Sequence, residues 1–153
     1  MFLEILTDIN LEFGVSDKAA ELTYYYIGPR SAMNSFSKSS LENSGQLQKV
    51  KKEISVKVER LDTILNDYQD QFDHIDFLSI DVEGLDMEVL RSNDWNKYKP
   101  SVVVIELEVV SLEDVKHNES AKFLMELGYV PVAKNIVTKP IASVFFVSED
   151  FVY

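Results

Sequence analysis

Asp81, Glu83 and Gly84 follow an apolar run, Ile75-Asp76-Phe77-Leu78-Ser79-Ile80, and precede residues at helical spacing, Leu85-Asp86-Met87-Glu88-Val89-Leu90. Acids inside an apolar strand are costly to bury, so this pair belongs where a strand emerges at the carboxyl edge of a sheet. Ligands bind along that edge in α/β proteins, and a carboxylate there can act as a base or orient an acceptor. The same residues also suit a structural role: a strand-end carboxylate often caps the helix that follows, and a glycine permits a tight turn. Glu106, after the apolar run Val102-Val103-Val104-Ile105, can face the same cleft from the next strand. The two histidines, His74 and His117, have no partner at metal-ligand spacing, and no metal site is expected.

The elements that must position these residues follow from periodicity. Ile9, Leu11 and Phe13 alternate with polar residues and predict a strand that ends at Gly14-Val15-Ser16-Asp17. A second strand is expected over residues 21–27, ended by Gly28-Pro29. Residues 31–52 read as a surface loop insertion, because the stretch to Gly45 is rich in serine and asparagine. Ile54, Val56 and Val58 mark a third strand, and Leu61, Ile64, Leu65 and Tyr68 a helix in which Asp62 suits a capping position. The fourth strand covers residues 75–80 and leads into a helix where Glu88 can pair with Arg91.

Beyond Lys99-Pro100, the run Val102-Val103-Val104-Ile105 has the pattern of a central strand covered on both faces. One helix is expected over residues 112–127, closed by Gly128 and weakened in its first half by His117-Asn118. Two final strands, residues 129–132 and 143–147, predict an antiparallel hairpin across residues 134–140. Trp95 and Tyr98 are expected to pack over the core. Strands alternating with helices define an α/β domain, doubly wound, in one mixed-sheet unit over residues 1–153.

Composition narrows the partners. With 46% hydrophobic and 11% aromatic residues in 153, the chain can bury a core. Its net charge of -11 argues against nucleic acid or an anionic membrane as a partner. The absence of cysteine excludes disulfides and thiolate chemistry and suits a reducing cytoplasm. The first residues do not read as a signal peptide.

The order and spacing of Val56-Lys57-Val58-Glu59-Arg60-Leu61-Asp62-Thr63-Ile64-Leu65, the Asp81-Val82-Glu83-Gly84 run with its strand, Glu88-Val89-Leu90 and Lys99-Pro100-Ser101-Val102-Val103-Val104-Ile105-Glu106 resemble the FkbM-type S-adenosylmethionine-dependent methyltransferases. The resemblance spans residues 5–148. It implies a Rossmann-like class I methyltransferase sheet and transfer of a methyl group from S-adenosylmethionine to oxygen on a sugar or small metabolite. It implies Asp81 as the base or acceptor-orienting group, Glu83 and Glu106 as acceptor contacts, with Glu83 alternatively pairing with a metal, and Asp17 as a contact to the cofactor's adenine amine. Ser79 stands where that family usually has lysine, and Asp86 where it often has glutamate.

In that family the first strand ends in a glycine-rich loop at the cofactor and the second in an acid that grips the ribose. The glycines here, Gly14, Gly28, Gly45, Gly84 and Gly128, include no close pair, and the first identifiable strand looks like the family's third. The expectation is therefore an incomplete sheet, its first two strands absent, matching the C-terminal two thirds of the domain. The edge of the residue 75–80 strand would lie open to a partner chain or a dimer mate, unless the strands re-pair. Two functions follow: a truncated methyltransferase with impaired cofactor binding, or a catalytically silent domain serving association or no independent role.

Overall fold

The computed structural model describes residues 9–29, 31–82, 84–138 and 140–151. Its strands form two sheets. The first joins β1 (Gly14–Val15), β3 (Lys52–Glu59) and β2 (Ala20–Tyr26) in the order β1-β3-β2. The second joins β4 (Phe77–Ile80), β5 (Val102–Glu108), β7 (Ile141–Ser148) and β6 (Tyr129–Thr138) in the order β4-β5-β7-β6. The single mixed sheet that strand–helix alternation predicts is thus two, divided where the resemblance places the absent strands, with β1 and β4 each at an edge. The helices are α1 (Lys38–Asn43), α2 (Leu61–Tyr68), α3 (Asp86–Arg91), α4 (Leu112–Val115) and α5 (Glu119–Glu126).

Pairing in the second sheet explains its order. β4 and β5 are parallel and joined through α3, whereas β5, β7 and β6 form antiparallel ladders. Residues alternate between faces, so Leu78, Val103 and Phe146 share one face, as do Ile80, Ile105 and Val144. Val103, Ile105, Val144 and Phe146 are fully buried there, against Leu61 of α2, Leu90 of α3 and Leu124 of α5. Each such side chain contributes about 1.5–3 kcal/mol relative to exposure, so this layer supplies most of the local stability. The opposite face carries Val102, Val104, Phe145 and Val147, none of which joins that core cluster. The expectation of a strand covered on both faces therefore holds for one face only.

Several expected boundaries shift for local reasons. Residues 9–13 are not a strand: Ile9 and Leu11 are exposed and no strand among the described residues receives their ladder, so alternation alone does not make one. The expected loop over residues 31–52 contains α1, whose Ser37 side chain caps it by accepting from the Ser40 N–H and whose Leu41 is buried. A short 3-10 turn, Leu47–Lys49, then leads into β3.

The expected helix over residues 112–127 is two helices. Asn118 breaks it, because its side chain accepts from the Ser120 and Ala121 N–H groups and starts α5 afresh. Ser111 and Asp114 close a capping box on α4. The C-terminal hairpin is present but longer than expected: β6 runs to Thr138, and β7 starts at Ile141.

Arg60 is the N-cap residue of α2, and Asp62, expected to cap or favour the helix start, stands in its first turn. The Arg60 guanidinium grips Asp62 through Nε at 3.0 Å and Nη2 at 2.6 Å, reaches the Asp17 carbonyl at 2.8 Å and the Ser92 carbonyl at 3.1 Å. This one side chain ties the turn after β1 to the starts of α2 and the end of α3. The Arg60 hydrogen bond holds the Asp62 carboxyl below its ordinary range. Arg91 pairs with Glu119 of α5 at 2.8 Å rather than with Glu88. Trp95 packs against the core and donates to the Leu90 carbonyl.

Candidate functional site

The parallel register ends with Ile80 opposite Ile105. The next residues, Asp81 and Glu106, therefore stand side by side where β4 stops and β5 continues. Ile80 and Ile105 are buried beneath them, while Asp81 is exposed and Glu106 half-buried. The chain then turns at Gly84, whose φ of 100° lies in the left-handed region that a side chain disfavours. A Cβ there would also come to 3.4 Å from Cβ of Ser37. The turn delivers Asp86 as the first residue of α3.

Asp81, Asp86, Glu106 and Glu108 line one open cleft of about 370 Å³. Its far wall comes from residues 32–41, including Met33, Asn34 and Ser35, so the segment expected as a loop shapes the site. Asn34 fixes that wall by accepting from the Ile27 N–H at 2.8 Å and donating to the Gly28 carbonyl at 3.1 Å. Among the described residues, none of the four carboxylates has an ion-pair partner.

Burial raises the Asp86 pKa, backbone N–H groups oppose that shift, and the neighbouring Asp81 charge adds to it. Oδ1 of Asp86 is buried with no hydrogen-bond partner. Burial also raises Glu106, again with the Asp81 charge adding to the effect. Asp86 and Glu106 are thus harder to ionise than free carboxyls, and they stand beside an exposed third acid.

Asp81 also lines a second cleft, with Glu12, Phe13, Gly14, Val15, Tyr24, Phe36, Val56 and Val82. The Tyr24 and Phe36 rings lie 4.8 Å apart there. Asp81 therefore stands on the wall between an acidic cleft and an aromatic one.

Of the residues expected at the site, Asp81 and Glu106 come together. Glu83 lies outside the described residues. Asp17 is exposed on the turn after β1 and lines neither cleft; its carbonyl holds Arg60, and its carboxylate takes the Ser16 hydroxyl at 3.4 Å. Helical spacing predicts Asp86 facing water, yet its Oδ1 is buried and the residue lines the cleft; Glu108 is not singled out by the sequence. A readable signal for Asp86 was its place as the first acid after a strand-end glycine turn. His74 is exposed at the other end of β4, against Ser101 at 2.8 Å, and His117 is exposed. Among the described residues, no cluster of three metal-ligating side chains occurs.

A parallel strand pair, a glycine turn into a helix and carboxylates at the carboxyl edge define an α/β protein with an open cleft at that edge. The chain belongs to the methyltransferase FkbM domain family, which it matches over residues 2–131. Comparisons with curated proteins and with solved structures give no match.

The residues around Asp81 do not fit the whole of a methyl-donating cofactor. Among the described residues Gly14 is the only glycine lining the aromatic cleft, and a Cβ on it would meet Val58 Cγ1 at 3.0 Å. Its missing side chain lets β1 approach β3, and the same Cβ would lie 3.7 Å from Phe36 and 3.8 Å from Val56, which line the cleft. No described cationic side chain lines either cleft to meet an amino-acid carboxylate.

Proposed function

We propose that this chain supplies the acceptor side of an S-adenosylmethionine-dependent O-methyl transfer, with a hydroxyl of a sugar or small metabolite as the acceptor. The observation that carries this reading is the convergence of Asp81, Asp86 and Glu106 on one cleft at the ends of β4 and β5, in a member of the FkbM family. The cofactor of such a reaction supplies an electrophilic methyl group. What this chain's residues add is alignment of the acceptor and removal of its proton.

Asp81 is the proposed base or acceptor-orienting group, since it is exposed at the cleft mouth and meets both cavities. Glu106, and Asp86 beside it, hold neighbouring hydroxyls of the acceptor. Glu83, two residues after Asp81, is proposed as a further acceptor contact. Asp17 is the one residue proposed for the cofactor's adenine amine. The fold is proposed to be a Rossmann-like class I methyltransferase sheet lacking its first two strands, because the order β4-β5-β7-β6 ends at an open β4 edge. A partner chain or dimer mate at that edge, a cytoplasmic setting and the lack of nucleic-acid or membrane partners complete the reading. No helix among the described residues is long and apolar enough to cross a membrane.

A second reading, a catalytically silent domain serving association or no independent role, is favoured by the poor fit to the cofactor. Titration calorimetry of S-adenosylmethionine into the purified chain separates the two. The expected outcome is binding weaker than about 100 μM, with methyl transfer detectable only at millimolar cofactor. A micromolar site would overturn the impaired-binding part of the account, and no transfer to any hydroxylated acceptor at millimolar cofactor would favour the silent domain.

A further inference from the structure

The acids of the cleft at the ends of β4 and β5, Asp81, Asp86, Glu106 and Glu108, meet no opposing charge. Among the described residues, no lysine, arginine or histidine lines that cleft, and the rest of its wall is neutral, with Met33, Leu41, Leu107 and Ile141 supplying apolar surface. The chain as a whole adds to the imbalance, with 26 acids against 15 lysines and arginines. A concave site lined by one sign of charge concentrates ligands of the other.

The cleft also shows what kind of cation it fits. Oδ1 of Asp86 is buried with no hydrogen-bond partner, so a charged acceptor in the wall lacks a donor. The Asp81 charge helps to raise both Asp86 and Glu106, so the acids repel one another. Yet among the described residues no three such side chains meet the geometry for one metal ion. The negative charge is instead spread along a cleft of about 370 Å³, which suits a cation carried on a larger body that also forms hydrogen bonds.

We infer, resting on the acceptor reading above, that the acceptor is a hydroxylated amine of the amino sugar or amino alcohol class. Its ammonium lies among Asp86, Glu106 and Glu108, and its hydroxyl at Asp81. An ammonium only donates hydrogen bonds and an ionised carboxylate only accepts them, so the two are complementary. Protonation also directs the chemistry. Neighbouring carboxylates favour the charged amine, whose nitrogen then has no lone pair with which to attack. The hydroxyl oxygen instead bonds to the methyl carbon, the carbon–sulfur bond breaks with its electron pair left on sulfur, and the hydroxyl proton passes to Asp81. A phosphorylated or carboxylated sugar is repelled by the same acids.

Chemical-shift titration of the full chain without S-adenosylmethionine tests this apart from methyl transfer. Glucosamine, glucose and glucuronate serve as cationic, neutral and anionic probes on one sugar ring, at about pH 6.5, where the amine is protonated. Glucosamine should bind about ten-fold tighter than glucose, with glucuronate weakest, and the preference should shrink as salt rises from about 50 mM to about 500 mM. Glu106→Gln combined with Glu108→Gln should bring glucosamine to the affinity of glucose. Glu108→Gln alone, at an exposed position, should lower the preference in part and serves should the double variant fold poorly. Glu126→Gln, exposed on α5 and outside the cleft, should leave the preference unchanged. Equal affinities for the three probes, no shifts from any of them up to about 50 mM, or a full preference in the double variant would overturn the inference. The acceptor reading itself fails on a different result, the absence of methyl transfer to any hydroxylated compound.

Discussion

At the scale of single residues, the site is a balance between burial and charge. Asp86 is the clearest case. Its folded pKa lies above its unfolded value, so the folded chain binds a proton more tightly than the unfolded one. The stability that this provides is fully present below the unfolded pKa, near about pH 4, and is lost as pH rises through the folded pKa. At neutral pH the group is therefore a liability to the fold. Asp86→Asn should raise the melting temperature by a few degrees at about pH 7 and leave it unchanged at about pH 3, measured by thermal denaturation. A lower melting temperature at neutral pH would mean that the backbone N–H groups outweigh burial. Asp81 and Glu106 were legible in the sequence because each ends an apolar run, and burying an acid inside such a run is costly. Asp86 was harder to read, because an acid in a first helical turn usually needs no site to explain it.

At the scale of elements, local capping decided what periodicity left open. Apolar spacing over residues 112–127 fits one helix, yet the Asn118 side chain takes two backbone N–H groups and starts a new one. Asn118→Ala should cost about 1 kcal/mol, read as a lower urea midpoint with unchanged slope. Equal midpoints would show that packing of Ala121 and Leu124, rather than the cap, fixes α5. The same logic explains the segment over residues 31–52. Its serines and asparagines suggested a loop, but Ser37 caps a helix and Asn34 ties the segment to Gly28, so the polar residues build one wall of the cleft. The strands from β3 onward were legible because their β-branched residues alternate or run continuously. The length of the C-terminal hairpin was not, since exposed Ile136 and Val137 read equally well as loop or strand.

At the scale of the whole molecule, a parallel pair and an antiparallel trio share one buried face, and a smaller sheet stands beside them. The resemblance places the absent strands between the family's third and fourth, so a division there could be anticipated, whereas the pairing within each part was left open. Pairing partners of an edge strand are set by which backbone groups lie nearby in space, and local pattern does not carry that information. The consequence for the proposed function is an asymmetry: four carboxylates converge on the cleft proposed to take the acceptor, while among the described residues no glycine-rich loop lines the aromatic cleft across Asp81. The most direct test of this account is the rate of labelled methyl transfer at millimolar S-adenosylmethionine, compared between the wild-type chain and Asp81→Asn. The account predicts a fall in kcat of about 100-fold or more with little change in the cofactor's KM. Equal turnover by the two proteins would remove Asp81 from the chemistry and contradict it.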